Sequence, residues 1–194
     1  MKNLIEKIFA EHGKIIKNKK IHHKKLLILF AGIPNSGKTY LAKMIERRYC
    51  GIRINSDDLR AIISRILNEK RNEKEQEREA LLKEYLTYFI DNYHFSNGLV
   101  ILDSGIERKY QLIYDHAKKN KFSFFSIGLE ITKQAASERS MKRTKQAQKH
   151  FNREVVRWIR ENKEFRDKYK LDYSINSARA TYTDLFTILD RAVQ

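Results

Sequence analysis

Apolar residues recur along this chain in two rhythms. Short unbroken runs occur at 26–31 (LLILFA), 99–103 (LVILD) and 122–129 (FSFFSIGL), with weaker ones at 51–55 (GIRIN) and 172–176 (DYSIN). Runs this short and this apolar predict strands of a parallel sheet that is buried on both faces. Between them the apolar spacing changes to three and four residues. That spacing predicts helices over 38–48, 57–67, 73–94, 107–119, 132–148, 151–166 and 181–191. Strands alternating with helices give an α/β fold, a five-stranded parallel sheet sandwiched by helices.

Ahead of the first strand, Leu4, Ile5, Ile8, Phe9, Ile15 and Ile16 fall at helical spacing among lysines. They predict a basic helical extension over residues 1–24, packed on a single domain over 25–194. A face turned to RNA or to a membrane surface is the other reading of that extension. The run NEKRNEKEQERE alternates charge at three- and four-residue spacing, as on the solvated face of the 73–94 helix. No proline- or glycine-rich linker divides the chain.

Composition sharpens this picture in two ways. The 194 residues suit one compact domain, and 41% hydrophobic residues argue against disorder although 33% are charged. The formal charge is +16, so either a lysine-rich surface serves solubility or the partner carries phosphates. One cysteine, Cys50, excludes an internal disulfide and a cysteine-based metal site, which suggests a reducing compartment. The first residues are charged throughout, unlike a secretory signal, and no run of eighteen apolar residues occurs. The expected location is cytoplasmic.

The first strand runs into Gly32-Ile33-Pro34-Asn35-Ser36-Gly37-Lys38-Thr39, and the predicted 38–48 helix follows at once. This matches G-x-x-x-x-G-K-S/T in its required strand-to-helix setting. The glycines let backbone N–H groups turn inward to cradle an anion at a helix N-terminus. Lys38 then reaches the β- and γ-phosphates, and the Thr39 hydroxyl can hold Mg²⁺. With Tyr40, the next helical residue, these positions form the candidate ATP site.

Three further segments carry chemistry. NSDDLR places Asp57 just beyond the second strand, where a carboxylate can take the proton of an attacking hydroxyl, with Arg60 one turn later. Capping of the 57–67 helix by Ser56 or Asp57 is the plainer role for this turn. Asp103 ends a buried strand, where a second carboxylate linked to Mg²⁺ is expected. Arg139 and Arg143 are four residues apart in the 132–148 pattern, so one helix face would present both guanidiniums to a transferring phosphoryl group.

These four pieces, in this order, resemble the P-loop kinases of the polynucleotide 5′-hydroxyl kinase type, over about Leu26 to Lys170. That family pairs a G-x-P-x-S-G-K-S/T loop with an N-x-D-D-x-R turn, here GIPNSGKT and NSDDLR. The resemblance implies a P-loop NTPase fold with a helical lid, ATP and Mg²⁺ as cofactors, and Asp57 as general base. It also implies a contact from Arg60 to the phosphate beside the accepting hydroxyl, with Arg139 and Arg143 as the lid pair. Two departures stand out. Asn35 occupies a position where glycine is common, tolerable if its backbone is not left-handed, and SGIERKY replaces the T-N that often follows the strand-end aspartate.

The acceptor is open. The net charge, the basic stretch from Arg139 to Lys170 and the many aromatic rings favour the 5′-hydroxyl of a polynucleotide. Trp158 is set apart, since it falls on the apolar stripe of Val155, Ile159 and Phe165. The related zeta-toxin kinases, which phosphorylate nucleotide-sugars, share the aspartate and the lid arginines, so a small-molecule acceptor stands beside it. A nucleotide-gated binding protein without phosphotransfer is a third reading; it explains Lys38 and Thr39 but gives Asp57, Arg60 and the arginine pair no task.

Overall fold

The structure is a computed structural model and describes residues 2–15, 25–68, 75–92, 98–177 and 181–193. Five strands form one all-parallel sheet in the order β2-β3-β1-β4-β5: β1 Leu26–Ala31, β2 Ile52–Asn55, β3 Leu99–Gly105, β4 Ser123–Glu130 and β5 Tyr173–Asn176. The flanking helices are α1 Lys2–Ile15, α2 Lys38–Tyr49, α3 Ser56–Ile66, α4 Glu75–Asn92, α5 Tyr110–Lys119, α6 Lys133–Met141, α7 Lys145–Lys168 and α8 Thr183–Val193.

The sheet is buried on both faces because β1 is apolar at every position. Leu27, Leu29 and Ala31 enter one core with residues of α1, α3, α4 and α5, while Leu26, Ile28 and Phe30 enter the other with α2 and α8. A third, smaller core holds Ile33, Ala136, Phe151 and Val155, which joins the loop after β1 to α6 and α7. These are the two helices that correspond to the expected lid. Trp158 packs against this third core, with its ring 5.9 Å from Phe151.

The basic N-terminal segment is drawn into the main core. Ile5 and Ile8 are fully buried, and α1 lies against α3 and α4. His12 of α1 shares a 2.6 Å hydrogen bond with the Tyr85 hydroxyl of α4. Ile16 and the rest of the extension to residue 24 lie outside the described residues, as do positions 73, 74, 93 and 94 of the predicted 73–94 helix.

Several boundaries differ from those predicted. β3 runs to Gly105 rather than ending at 103, and α5 starts at Tyr110 rather than 107, because residues 106–109 make a turn closed by Lys109 N donating to the Ile106 carbonyl at 2.9 Å. The break expected between 148 and 151 falls at 142–144. There Thr144 Oγ1 accepts from Ala147 N at 3.3 Å and caps α7. The register of β1 against β3 slips after Leu29, so that Phe30 pairs with Gly105 and leaves Asp103 and Ser104 unopposed. Such a slip re-aims side chains at the end of a strand.

Candidate active site

The loop after β1 lies at the carboxyl edge of the sheet, between β3 on one side and β4 on the other, where the strand order reverses. Gly32 (φ 149°) and Gly37 (φ 100°) have positive φ, and a Cβ on Gly32 would meet the Leu129 carbonyl at 2.7 Å. Asn35 is also left-handed, at φ 68°, so the condition set for asparagine at this position is not met. Asparagine is among the residues that tolerate this region, and here its side-chain amide donates to the Ala136 carbonyl at 3.3 Å. The buried Ser36 hydroxyl has no hydrogen-bond partner among the described residues.

Lys38 folds back over the loop and donates to the carbonyls of Gly32 and Ile33, the latter at 2.9 Å. Burial pulls its pKa below the ordinary lysine value. Glu107 and Asp103 act against that shift, Arg143 acts with it, and Asp57 opposes it more weakly.

Asp103 is the most heavily bonded carboxylate of the site. Its Oδ1 accepts from Thr39 Oγ1 at 2.9 Å, and its Oδ2 accepts from Arg53 Nη1 at 2.7 Å and Asn55 Nδ2 at 2.6 Å. Arg53 also donates to Glu46 at 3.0 Å. Arg53 and Asn55 were not singled out in the sequence. Their signal was two polar residues alternating with isoleucines in β2, which puts both on one face beside the register partner Asp103.

Asn55 also replaces Ser56 and Asp57 as the cap of α3. Its Oδ1 accepts from Asp57 N at 2.8 Å and Asp58 N at 3.0 Å. The Asp57 carboxylate is therefore free of capping. It is 72% exposed and accepts from Arg60 Nη1 at 3.0 Å. Arg60 Nε donates to Glu79 of α4 at 2.6 Å. Beyond β3, Glu107 Oε1 accepts from Gly32 N at 2.7 Å and from Asn162 of α7 at 2.8 Å, while Lys109 Nζ donates to Ser104 Oγ at 2.9 Å. Glu79, Glu107 and Lys109 were also not foreseen; Glu107 and Lys109 lie in the SGIERKY stretch whose departure from T-N was the visible sign.

The two lid arginines do not share a helix face. α6 ends at Met141, so Arg143 lies in the turn before α7. Arg139 remains on α6 and donates to the Asn35 carbonyl at 3.1 Å and the Ser177 carbonyl at 2.9 Å, tying the lid to the phosphate loop and to the end of β5. Pro34 is half-buried and Ile33 enters the lid core. Tyr40 is 63% exposed, with its ring 6.2 Å from that of Tyr182.

Residues 27–165 match the model of the AAA_33 family, described as an AAA domain. The chain belongs to that family. Among solved structures this AAA domain is similar to shikimate kinase from Aquifex aeolicus, with a TM-score of 0.56 and 14% identity over 86% of this chain and 97% of that one. It is similar to a structure of the PezAT chromosomal toxin–antitoxin system of Streptococcus pneumoniae, with a TM-score of 0.63 and 12% identity over 100% of this chain and 88% of that one. APS kinase from Mycobacterium tuberculosis, in complex with AMPPNP and APS, gives a TM-score of 0.54 and 14% identity over 86% and 96%. At these identities the likeness is one of fold, a P-loop kinase fold. No curated protein matches the sequence significantly.

Among the described residues no cluster of three His, Cys, Asp or Glu could hold a metal, and no helix is long and apolar enough to cross a membrane. The oxygens of Thr39 and Asp103 do fit Mg²⁺, which takes hard oxygen ligands and needs only one or two from the protein when phosphates supply others.

Proposed function

We propose that this AAA domain is an ATP-dependent kinase that transfers the γ-phosphoryl group to a hydroxyl presented at Asp57. The observation that carries it is the arrangement at the carboxyl edge of the sheet: Lys38 lies over the loop carbonyls, Thr39 is bonded to the buried Asp103, and Asp57 stands uncapped at the start of α3 beside Arg60. A binding protein without chemistry needs the loop and Lys38, but has no use for an exposed carboxylate held by Arg60 at that edge.

In this reading the loop amides, Lys38 and Thr39 hold the ATP phosphates, and Tyr40 lies on the nucleoside side. Thr39 and Asp103, already bonded to each other, would hold Mg²⁺, which would offset the negative charge that develops on the phosphoryl oxygens. Asp57 accepts the proton of the attacking hydroxyl, a contribution of about 10²–10⁴ in rate. Arg60 fixes that carboxylate, while Arg139 and Arg143 bring positive charge to the transferring group as the lid closes and excludes water.

For the acceptor, the 5′-hydroxyl of a polynucleotide is supported by the +16 charge and by the NSDDLR turn. A small acceptor is favoured by a separate observation. Arg153, Arg157 and Arg160 of α7 pair with Glu154, Glu161 and Glu164, and Tyr110, Tyr114, Phe124, Phe165 and Tyr169 pack on one another. The rings are thereby committed to one another, and the arginine charges are partly offset while they stay exposed. Neighbours of this fold include kinases named for shikimate and for APS, both small molecules.

The test supplies γ-labelled ATP with 5′-hydroxyl oligonucleotides, nucleosides, nucleotide-sugars and amino-alcohols. Label on an oligonucleotide, with steep salt dependence, supports the first acceptor; label on a small molecule alone supports the second. Asp57→Asn is expected to lose about 10²–10⁴ in kcat while ATP binding persists. Retained transfer in that variant would sink the reading.

A further inference from the structure

We propose that Lys109 is an acceptor-binding residue, which together with Arg60 holds an oxyanion of the acceptor beside the hydroxyl at Asp57. The proposal rests on the phosphotransfer reading and deepens it by naming a chemical feature of the substrate.

Lys109 is 7% exposed, and its described hydrogen bond goes to a neutral group, Ser104 Oγ. An ammonium has three donors, so two remain for another partner. Burying such a charge without a counter-charge is costly, and a lysine that served packing alone would be better replaced by an apolar chain. Glu79 and Glu107 act on Lys109 through their charge, without hydrogen-bonding to it. Each is engaged elsewhere, Glu79 with Arg60 and Glu107 with Gly32 N and Asn162. Burial first, and then the like charge of Arg60, bring the Lys109 pKa down to about 8. Among the described residues no anion is directly bonded to Lys109.

Position says where that anion comes from. Ser104 follows Asp103 at the carboxyl edge of β3, in the segment left unopposed by the register slip. Lys109 Nζ is thus held next to Asp103, whose Oδ2 accepts from Asn55, the cap of the helix that carries Asp57 and Arg60. Open α/β sheets bind ligands along this edge. An anionic oxygen of the acceptor entering here meets the free donors of Lys109 and the guanidinium of Arg60 with short, charge-assisted hydrogen bonds. A phosphate and a carboxylate share this chemistry.

The experiment uses the full chain loaded with Mg²⁺ and a non-hydrolysable ATP analogue, so that the anion site of the loop is filled. Inorganic phosphate, acetate and dimethyl phosphate are then titrated by calorimetry into the wild type, Lys109→Met and Lys109→Arg. The wild type is expected to bind one of these oxyanions; Lys109→Met weakens it at least about tenfold, and Lys109→Arg restores most of the loss. Preference among the three separates a phosphomonoester, a carboxylate and a phosphodiester as the group recognised. No oxyanion binding in the wild type, or equal affinity in Lys109→Met, overturns the proposal. Should Lys109→Met not fold, a crystal structure of the loaded wild type with phosphate decides. A phosphate oxygen about 3 Å from Lys109 Nζ supports the assignment, and phosphate bound only elsewhere overturns it. Failure of the ATP analogue to bind brings down the phosphotransfer reading, and this proposal with it.

Discussion

The two ends of the cleft differ in how far their charges are committed to one another. At the phosphate end the Asp103 side chain is 2% exposed and accepts from Thr39, Arg53 and Asn55, residues of α2 and β2. At the proposed acceptor end the Asp57 side chain is 72% exposed and is bonded to Arg60 on its own helix. The first arrangement holds a fixed set of oxygens and donors, which suits a ligand that is the same in every turnover. The second leaves a carboxylate in water with one adjustable partner, which suits a group that must meet a substrate and change its protonation. The proposed phosphate site is thus the more committed of the two, and the proposed acceptor site the more adaptable.

This contrast can be broken most forcefully at Asp103. Asp103→Ala leaves Arg53 mostly buried with one carboxylate fewer, and removal of one partner from such a pair costs about 3–5 kcal/mol. A urea titration should show the midpoint falling sharply. A loss under about 1 kcal/mol would mean that the phosphate end is no more committed than the acceptor end.

A second test loosens the acceptor side from behind. α1 backs α3 and α4, which carry Asp57, Arg60 and Glu79, and His12 is buried there with its pKa depressed by burial to about 4. An unfolded histidine binds its proton near pH 6.5, so the folded chain is fully stable above that value and loses stability as pH falls from 6.5 to about 4. The loss reaches about 3 kcal/mol. Hydrogen exchange should register it first in α1 and α4, and His12→Gln should flatten the pH dependence.

Gly32→Ala probes the loop itself. With φ at 149° and the Leu129 carbonyl 2.7 Å from the new Cβ, the backbone must shift, at a cost of about 1–3 kcal/mol. Loss of ATP binding should accompany the drop in melting temperature. The smallest expected effect sharpens the comparison from the other end: Asp57→Ala should change stability by within about 0.5 kcal/mol, since an exposed carboxylate bonded within one helix contributes little. Thermal melts of Asp57→Ala and Asp103→Ala, run together, measure the contrast directly.

The alternation of strands and helices around the loop follows from patterns the chain displays openly. Runs such as LLILFA have no polar face, so they must be covered from both sides, and helices between parallel strands do this. The loop, its lysine and its threonine form a local motif and could be read locally. Less legible were the parts that depend on register and caps. The α6–α7 break carries no glycine or proline, and only the Thr144 hydroxyl marks it, so Arg139 and Arg143 were placed on one face when a turn separates them. The left-handed Asn35 is likewise invisible until the loop closes over Lys38.

Sequence by itself determined the class of fold, the candidate anion cradle from Gly32 to Thr39, and the candidate carboxylates Asp57 and Asp103. Each depends on periodicity or on neighbours within a few residues. Tertiary structure decided which groups answer those carboxylates: Arg53 and Asn55 for Asp103, Glu79 beside Arg60, Glu107 on the Gly32 amide, and the enclosed Lys109 next to Ser104. Most of these partners come from segments far apart in the chain, and burial sets the strength of their charges. Neither long-range proximity nor exclusion of water is encoded in local spacing.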